Sequence, residues 1–168
     1  IPMSSQIPEI PVETRRPGPP KELLSTPSFL LKRLGFGVKE RMVDAMAEVG
    51  LGMYDHAILT LLDEEPRETQ AQIADALGYD RSHLVGVLDS LEERGLIERR
   101  RDPVDRRRHL VTLTPAGEKA LARVRKVVAQ VNDSFLEPLD AAERKTLTAL
   151  LARLAGHHDP RYRASGGS

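Results

Sequence analysis

The chain has 168 residues, enough for one ordinary domain, and 40% of them are hydrophobic, so a buried core is expected rather than disorder. Its 25 basic and 25 acidic side chains cancel, and attraction to a polyanion must therefore come from local clustering. The absence of cysteine excludes disulfides, thiolate metal sites and thiol redox switches. No apolar run approaches the roughly 20 residues that span a bilayer, and the N-terminus lacks the apolar core of a signal peptide; a soluble cytoplasmic protein is the expectation. Ile1 and Pro2 precede Met3, which reads as a tag scar ahead of the native start.

Seven of the 12 prolines fall in residues 1–27, among alternating charges and without periodic apolar positions, so residues 1–20 read as a flexible arm. A helix is expected from Thr26 as cap and Pro27 as first residue to about Gly50, with Leu30, Leu34, Met42, Met46 and Val49 on one face. Asp55 to Leu62 gives a short apolar helix that ends at Asp63-Glu64-Glu65-Pro66. Thr69 can then cap a helix over 70–77 whose Ile73, Ala74 and Leu77 face inward. Gly78 ends that helix in the left-handed conformation glycine adopts cheaply, and Asp80 caps the next one two residues later. Two short helices joined so tightly cross steeply, which is the helix-turn-helix arrangement.

Leu84, Val87, Leu88 and Leu91 fix the buried face of the second helix, and Gly95-Leu96 closes it in a Schellman-type turn. Ile97 to Arg101 and His109 to Thr114 follow as two strands around a turn beginning Asp102-Pro103, a β-hairpin or wing. Thr114-Pro115 starts a long helix whose Leu121, Val124, Val128, Val131 and Phe135 repeat at 3, 4, 3, 4 spacing, a seam expected to need a partner helix. Asp140 to Glu143 forms a capping-box-like start for a last helix with Leu147, Leu150, Leu151 and Leu154 on one side, and residues 156–168 read as a flexible tail.

On the second helix of the pair, subtracting the buried stripe leaves Ser82, Val85, Gly86 and Asp89, with Arg81 and His83 near the start. Small or hydrogen-bonding side chains allow close approach to a major groove: Arg81 or His83 can donate to guanine, Ser82 can bond a base or a phosphate, and Val85 can touch a thymine methyl. Between positions 99 and 109 the hairpin carries Arg99, Arg100, Arg101, Arg106, Arg107 and Arg108 against Asp102 and Asp105, a local excess of four in a neutral chain. Arginines on a narrow ribbon suit a minor groove or flanking phosphates.

The run Asp105-Arg106-Arg107-Arg108-His109-Leu110-Val111-Thr112-Leu113-Thr114-Pro115-Ala116-Gly117 resembles the wing signature of the MarR family, and Leu91 to Arg99 resembles the segment that precedes it. The resemblance spans about residues 27–155. It implies a mainly α fold with a small β-hairpin wing: a winged helix-turn-helix lobe over 51–114 and a dimerisation lobe formed by the helices of 27–50 and 115–155. It further implies Arg107 as the minor-groove arginine, Asp105 as the carboxylate that orients it, Ser82, His83 and Val85 as base readers, and Thr69 and Gln70 as phosphate neighbours. Gly86 departs from the family, where a larger and often basic side chain is common. The partners implied are a palindromic DNA duplex, a second copy of the chain and a small aromatic or lipophilic effector, with Tyr54, His56 and Arg41 as residues that either line an effector crevice or simply pack the junction.

Other classes find less support. No Gly-x-Ser-x-Gly elbow, phosphate-cradling glycine loop or His-Glu-x-x-His helix is present, so neither an enzyme nor a cofactor is expected. His56, His83 and His109 are scattered, and His157-His158-Asp159 lies in the expected tail, which leaves a zinc-sensing regulator as an alternative and no metal site in view. Six aromatic residues, none between Tyr79 and Phe135, disfavour single-strand binding by stacking. A winged helix kept only for protein contacts shares the fold but has no need of an arginine wing.

Overall fold

The computed structural model describes residues 18–65 and 68–163, so most of the expected arm, Pro66, Arg67 and the end of the expected tail lie outside the described residues. Its elements in order are α1 (Lys21–Leu24), α2 (Pro27–Glu48), α3 (Met53–Glu64), β1 (Glu68–Thr69), α4 (Gln70–Leu77), α5 (Arg81–Glu93), β2 (Ile97–Arg101), β3 (His109–Leu113), α6 (Pro115–Phe135) and α7 (Ala141–His158), then a 3₁₀ turn at Pro160–Tyr162. This is the mainly α fold with a small antiparallel wing that the sequence leads one to expect. No helix among the described residues is long and apolar enough to cross a membrane.

The chain divides into two units after Phe36. The first contains α1, which the sequence does not announce, and the opening of α2. Thr26 precedes α2 as expected, but its hydroxyl donates to the Glu22 carbonyl at 2.8 Å, while its own carbonyl accepts from Leu30 N–H. Leu30, Leu31, Leu34 and Phe36 are all exposed in the single chain.

The second unit holds the core. Ile58, Leu59 and Leu62 of α3, Ile73 and Ala74 of α4, and Leu84, Leu88 and Leu91 of α5 meet Ile97, Val111, Leu121 and Val124, all buried. Each such leucine removed from water contributes on the order of 2 kcal/mol. The expected inward stripe of α5 is thus realised, with Val87 half-buried at its edge. Leu121 and Val124 correct one expectation: the first half of the α6 seam is consumed by the chain's own core, not by a partner helix. Phe135, at its far end, is half-buried with the Arg41 guanidinium 5.4 Å from its ring centroid.

Local chemistry sets the helix ends. Thr69 caps α4 with a reciprocal box to Gln72, and Gly78 follows at φ 66°. Asp80 caps α5 by accepting from the backbone N–H of Ser82 and His83 at 2.9 and 3.1 Å. At the other end Leu96 N–H bonds the Leu91 carbonyl and Gly95 N–H the Glu92 carbonyl, the Schellman closure expected from the sequence. The sheet has three strands in the order β1-β3-β2, one more than the expected hairpin; Thr69 sits opposite Leu110, and Arg99 opposite Val111. The last helix continues to His158, beyond residue 155 where the lobe was expected to end, and Arg161 then stands over Gly78 at the helix-turn-helix turn.

Candidate nucleic-acid interface

Three groups of expected site residues can be placed. The first lies on α5, where Arg81, Ser82, His83, Val85, Gly86 and Asp89 are exposed and the leucines opposite them are buried. Arg81 makes only a loose 3.6 Å pair with Asp75, both side chains more than 70% exposed, so its guanidinium is held weakly. Ser82 is more constrained: its hydroxyl donates to Asp80. With that proton turned to Asp80, the Ser82 oxygen is left to accept, as from an amino group on a base edge. The Ser82 hydroxyl, and after it the His83 and Ser82 backbone N–H groups, hold the Asp80 carboxyl below its ordinary range. The His83 ring meets Tyr54 edge to face at 4.6 Å, and Tyr54 meets Tyr79 at 4.9 Å, so the imidazole is braced from behind.

The second group is Thr69 and Gln70. Pairing of β1 with β3 sets the start of α4 against the base of the wing, and an open cleft of about 480 Å³ is lined there by Thr69, Gln70, Ala71, Gln72, Arg108 and His109. Thr69 itself is buried, and its hydroxyl donates to Gln72 Oε1 at 2.7 Å. Its contribution is to hold the helix start, while Gln70, half-buried, lines the cleft. The sequence reading missed His109 and Gln72 here, because the two-residue strand that brings them together carries no periodic signal.

The third group is the wing. Asp105 accepts from Arg107 N–H at 3.1 Å and lies 3.8 Å from Arg107 Nε, while the Arg107 side chain is 96% exposed at the tip. Asp102 N–H to the Arg108 carbonyl and Arg108 N–H to the Asp105 carbonyl, both 2.9 Å, close the turn between the strands. Arg106 and Arg108 are exposed beside Arg107. Arg99 departs from expectation. Its side chain is only 24% exposed and forks onto two acids of α5, with Nε and Nη2 on Glu92 Oε2 at 2.9 and 2.6 Å and Nη2 on Asp89 Oδ1 at 2.5 Å. The Arg99 hydrogen bonds pull the Glu92 carboxyl below its usual range; those to Glu92, then Asp89, raise the guanidinium. Arg99 therefore does not stand exposed beside Arg106, Arg107 and Arg108, and its pairing with Glu92 and Asp89 was not anticipated from the sequence.

Of the residues considered for an effector crevice, Tyr54 and Arg41 line separate clefts. Tyr54 lines a cleft of about 330 Å³ with Gly52, Asp55, His83, Gly86 and Arg94, whereas Arg41 lines another of about 220 Å³ with Ala45, Glu48, Gln130 and Val131. His56 has its pKa lowered by burial, then by the Arg125 charge. Among the described residues no group of three or more His, Cys, Asp or Glu is placed to hold a metal, so the zinc-sensing alternative gains no ligand set there.

The pattern of the MarR family matches residues 52–109 of the chain. A protein of Thauera aromatica named as a transcriptional regulatory protein for the hcr operon is 40% identical over 114 residues, 68% of each chain. The transcriptional repressor CouR, solved on a 23-mer DNA duplex, is 39% identical with a TM-score of 0.73, covering 80% of this chain and 95% of its own. The PcaV transcriptional regulator of Streptomyces coelicolor, solved with its natural ligand, is 31% identical with a TM-score of 0.68, over 82% and 96% of the two chains. With the helix-turn-helix, the three-stranded wing and these likenesses in agreement, the chain belongs to the MarR family of winged helix-turn-helix transcriptional regulators.

Proposed function

We propose that this regulator is a homodimeric repressor that binds an inverted-repeat operator, inserting α5 into the major groove and the wing into the flanking minor groove. The observation that carries the reading is Arg107: nearly fully exposed, it stands at the tip of the ribbon that follows α5, beside Asp105, which accepts its backbone N–H. A guanidinium so presented fits the negative potential of a narrow minor groove. Arg106 and Arg108 add phosphate attraction, and the cleft between Gln70 and Arg108 lies where backbone would pass. On α5, Arg81 and His83 are the donors, Ser82 the acceptor and Val85 the apolar contact. The structure of CouR on a duplex supports the DNA partner. Structures of CouR bound to p-coumaroyl-CoA support release by a small aromatic effector, here an aromatic acid or its thioester.

Selection of bound fragments from sheared genomic DNA by the purified protein tests the reading. Enrichment of a palindrome whose half-sites lie about one turn apart, roughly 10–10.5 bp, is the expected result. Failure to enrich any duplex at low salt would transfer the fold to a protein-contact role.

A further inference from the structure

We propose that Arg99 is a positioning residue for operator reading: by forking onto Glu92 and Asp89 it fixes the angle between the recognition helix and the wing, and so the spacing between the major-groove and minor-groove contacts. The inference rests on the DNA-binding reading above and deepens it.

Residues alternate across a strand, so Ile97 and Arg99 share one face of β2. Ile97 is buried in the core, and Arg99 is the next side chain outward on that face, reaching α5 where apolar packing has ended. Opposite it on β3, Val111 is the last buried position before the ribbon runs into solvent, with Val104 94% exposed near the tip. The core therefore holds the ribbon up to the Arg99–Val111 pair, and Arg99 ties that level to α5. Glu92 takes both the Arg99 backbone N–H, at 3.0 Å, and the guanidinium, so one carboxylate fixes strand and side chain together. At about 3.3 Å per residue the ribbon extends roughly 10 Å past Arg99, so a tilt of about 20° there displaces the tip by roughly 3–4 Å, more than a hydrogen bond tolerates.

The same pairing answers a difficulty on the reading face. Asp89 continues the exposed stripe of Ser82, Val85 and Gly86, where a free carboxylate would meet phosphates. Held by Arg99, its charge is compensated within the protein. Arg99 is consequently withdrawn from phosphate contact, although it belongs to the arginine-rich run.

Glu92→Gln separates this account from simple electrostatics, because the two predict opposite signs. Removing a negative charge beside DNA should tighten binding to every duplex if the clamp is irrelevant. The clamp predicts that affinity for the duplex enriched by the wild-type protein falls roughly tenfold, with nonspecific duplex nearly unchanged. In hydroxyl-radical footprints the wing's minor-groove protection should fade while protection by α5 persists. Arg99→Lys, which keeps the charge but loses the fork, should give an intermediate loss without lowering the slope of log affinity against log salt. In Arg99→Gln, which removes the charge, a slope reduced by about 0.9 would make Arg99 a phosphate contact and overturn the proposal. Equal or tighter operator binding by Glu92→Gln with an intact wing footprint would also overturn it. A wild-type protein that enriches no duplex would instead remove the regulator reading itself.

Discussion

At the scale of single residues, the positions that act through their nearest neighbours in sequence were legible. Thr69 and Asp80 cap α4 and α5, and Gly95 takes φ 69° at the end of α5, each from a choice made within three or four residues. Arg99 was not legible, because its acids lie 7 and 10 residues away and meet it only after the chain has reversed at Gly95. Gly117 shows a different constraint: a Cβ there would overlap the Leu96 carbonyl, where the start of α6 crosses the end of the α5 turn. Thr114 ties that crossing with hydrogen bonds to Gly95 and Leu96. Gly117→Ala is thus expected to cost about 1–3 kcal/mol in denaturant unfolding, the cost of overpacking a site whose neighbour is backbone. At the tip, Arg107→Ala should lower operator affinity roughly tenfold and leave the thermal midpoint unchanged, since its side chain is 96% exposed. A fall in the midpoint would show that Arg107 serves the fold.

Among elements, the strongly periodic helices α4 and α5 matched their sequence expectation, whereas β1, with two residues, and α1, with four, are too short to carry a period. The α6 stripe was read correctly as apolar but assigned too wholly to a partner, because periodicity shows that a face is buried and not what buries it. The junction of α3 and α6 yields a pH prediction. Burial, then Arg125, lowers the pKa of His56 below 6.5, so the unfolded chain takes up a proton more readily than the folded one. Stability from this group is complete above about pH 6.5 and declines as pH falls through the folded-state value. The lowered carboxyls of Asp80 and Glu92 act in the same direction but only in more acidic solution, as pH falls below about 4.5. The thermal midpoint should therefore drop between pH 7 and pH 5.5 in the native protein, and His56→Gln should flatten that limb. An equal drop in the variant would assign the effect to another group.

For the whole molecule, α7 presents Leu150, Leu151 and Leu154 to solvent in the single chain, and its Leu147 is only half-buried. Three leucines on one helix face have no reason to remain wet when a second copy can cover them, which supports the proposed homodimer. Leu151→Glu with Leu154→Glu should raise the dimer dissociation constant by roughly 30-fold or more, about 2 kcal/mol, as read by sedimentation equilibrium. Operator affinity should fall with it, since two half-sites are held only by two linked recognition helices. An unchanged sedimentation profile would place the subunit contact elsewhere. In the proposed complex, two copies related by a two-fold axis each grip adjacent grooves with α5 and the wing. Hydroxyl-radical footprinting on the enriched duplex tests this most directly. Two equivalent protected blocks about one helical turn, roughly 10–10.5 bp, apart are predicted, each flanked by minor-groove protection that Arg107→Ala abolishes; one unpaired block, or flanks indifferent to Arg107, would contradict it.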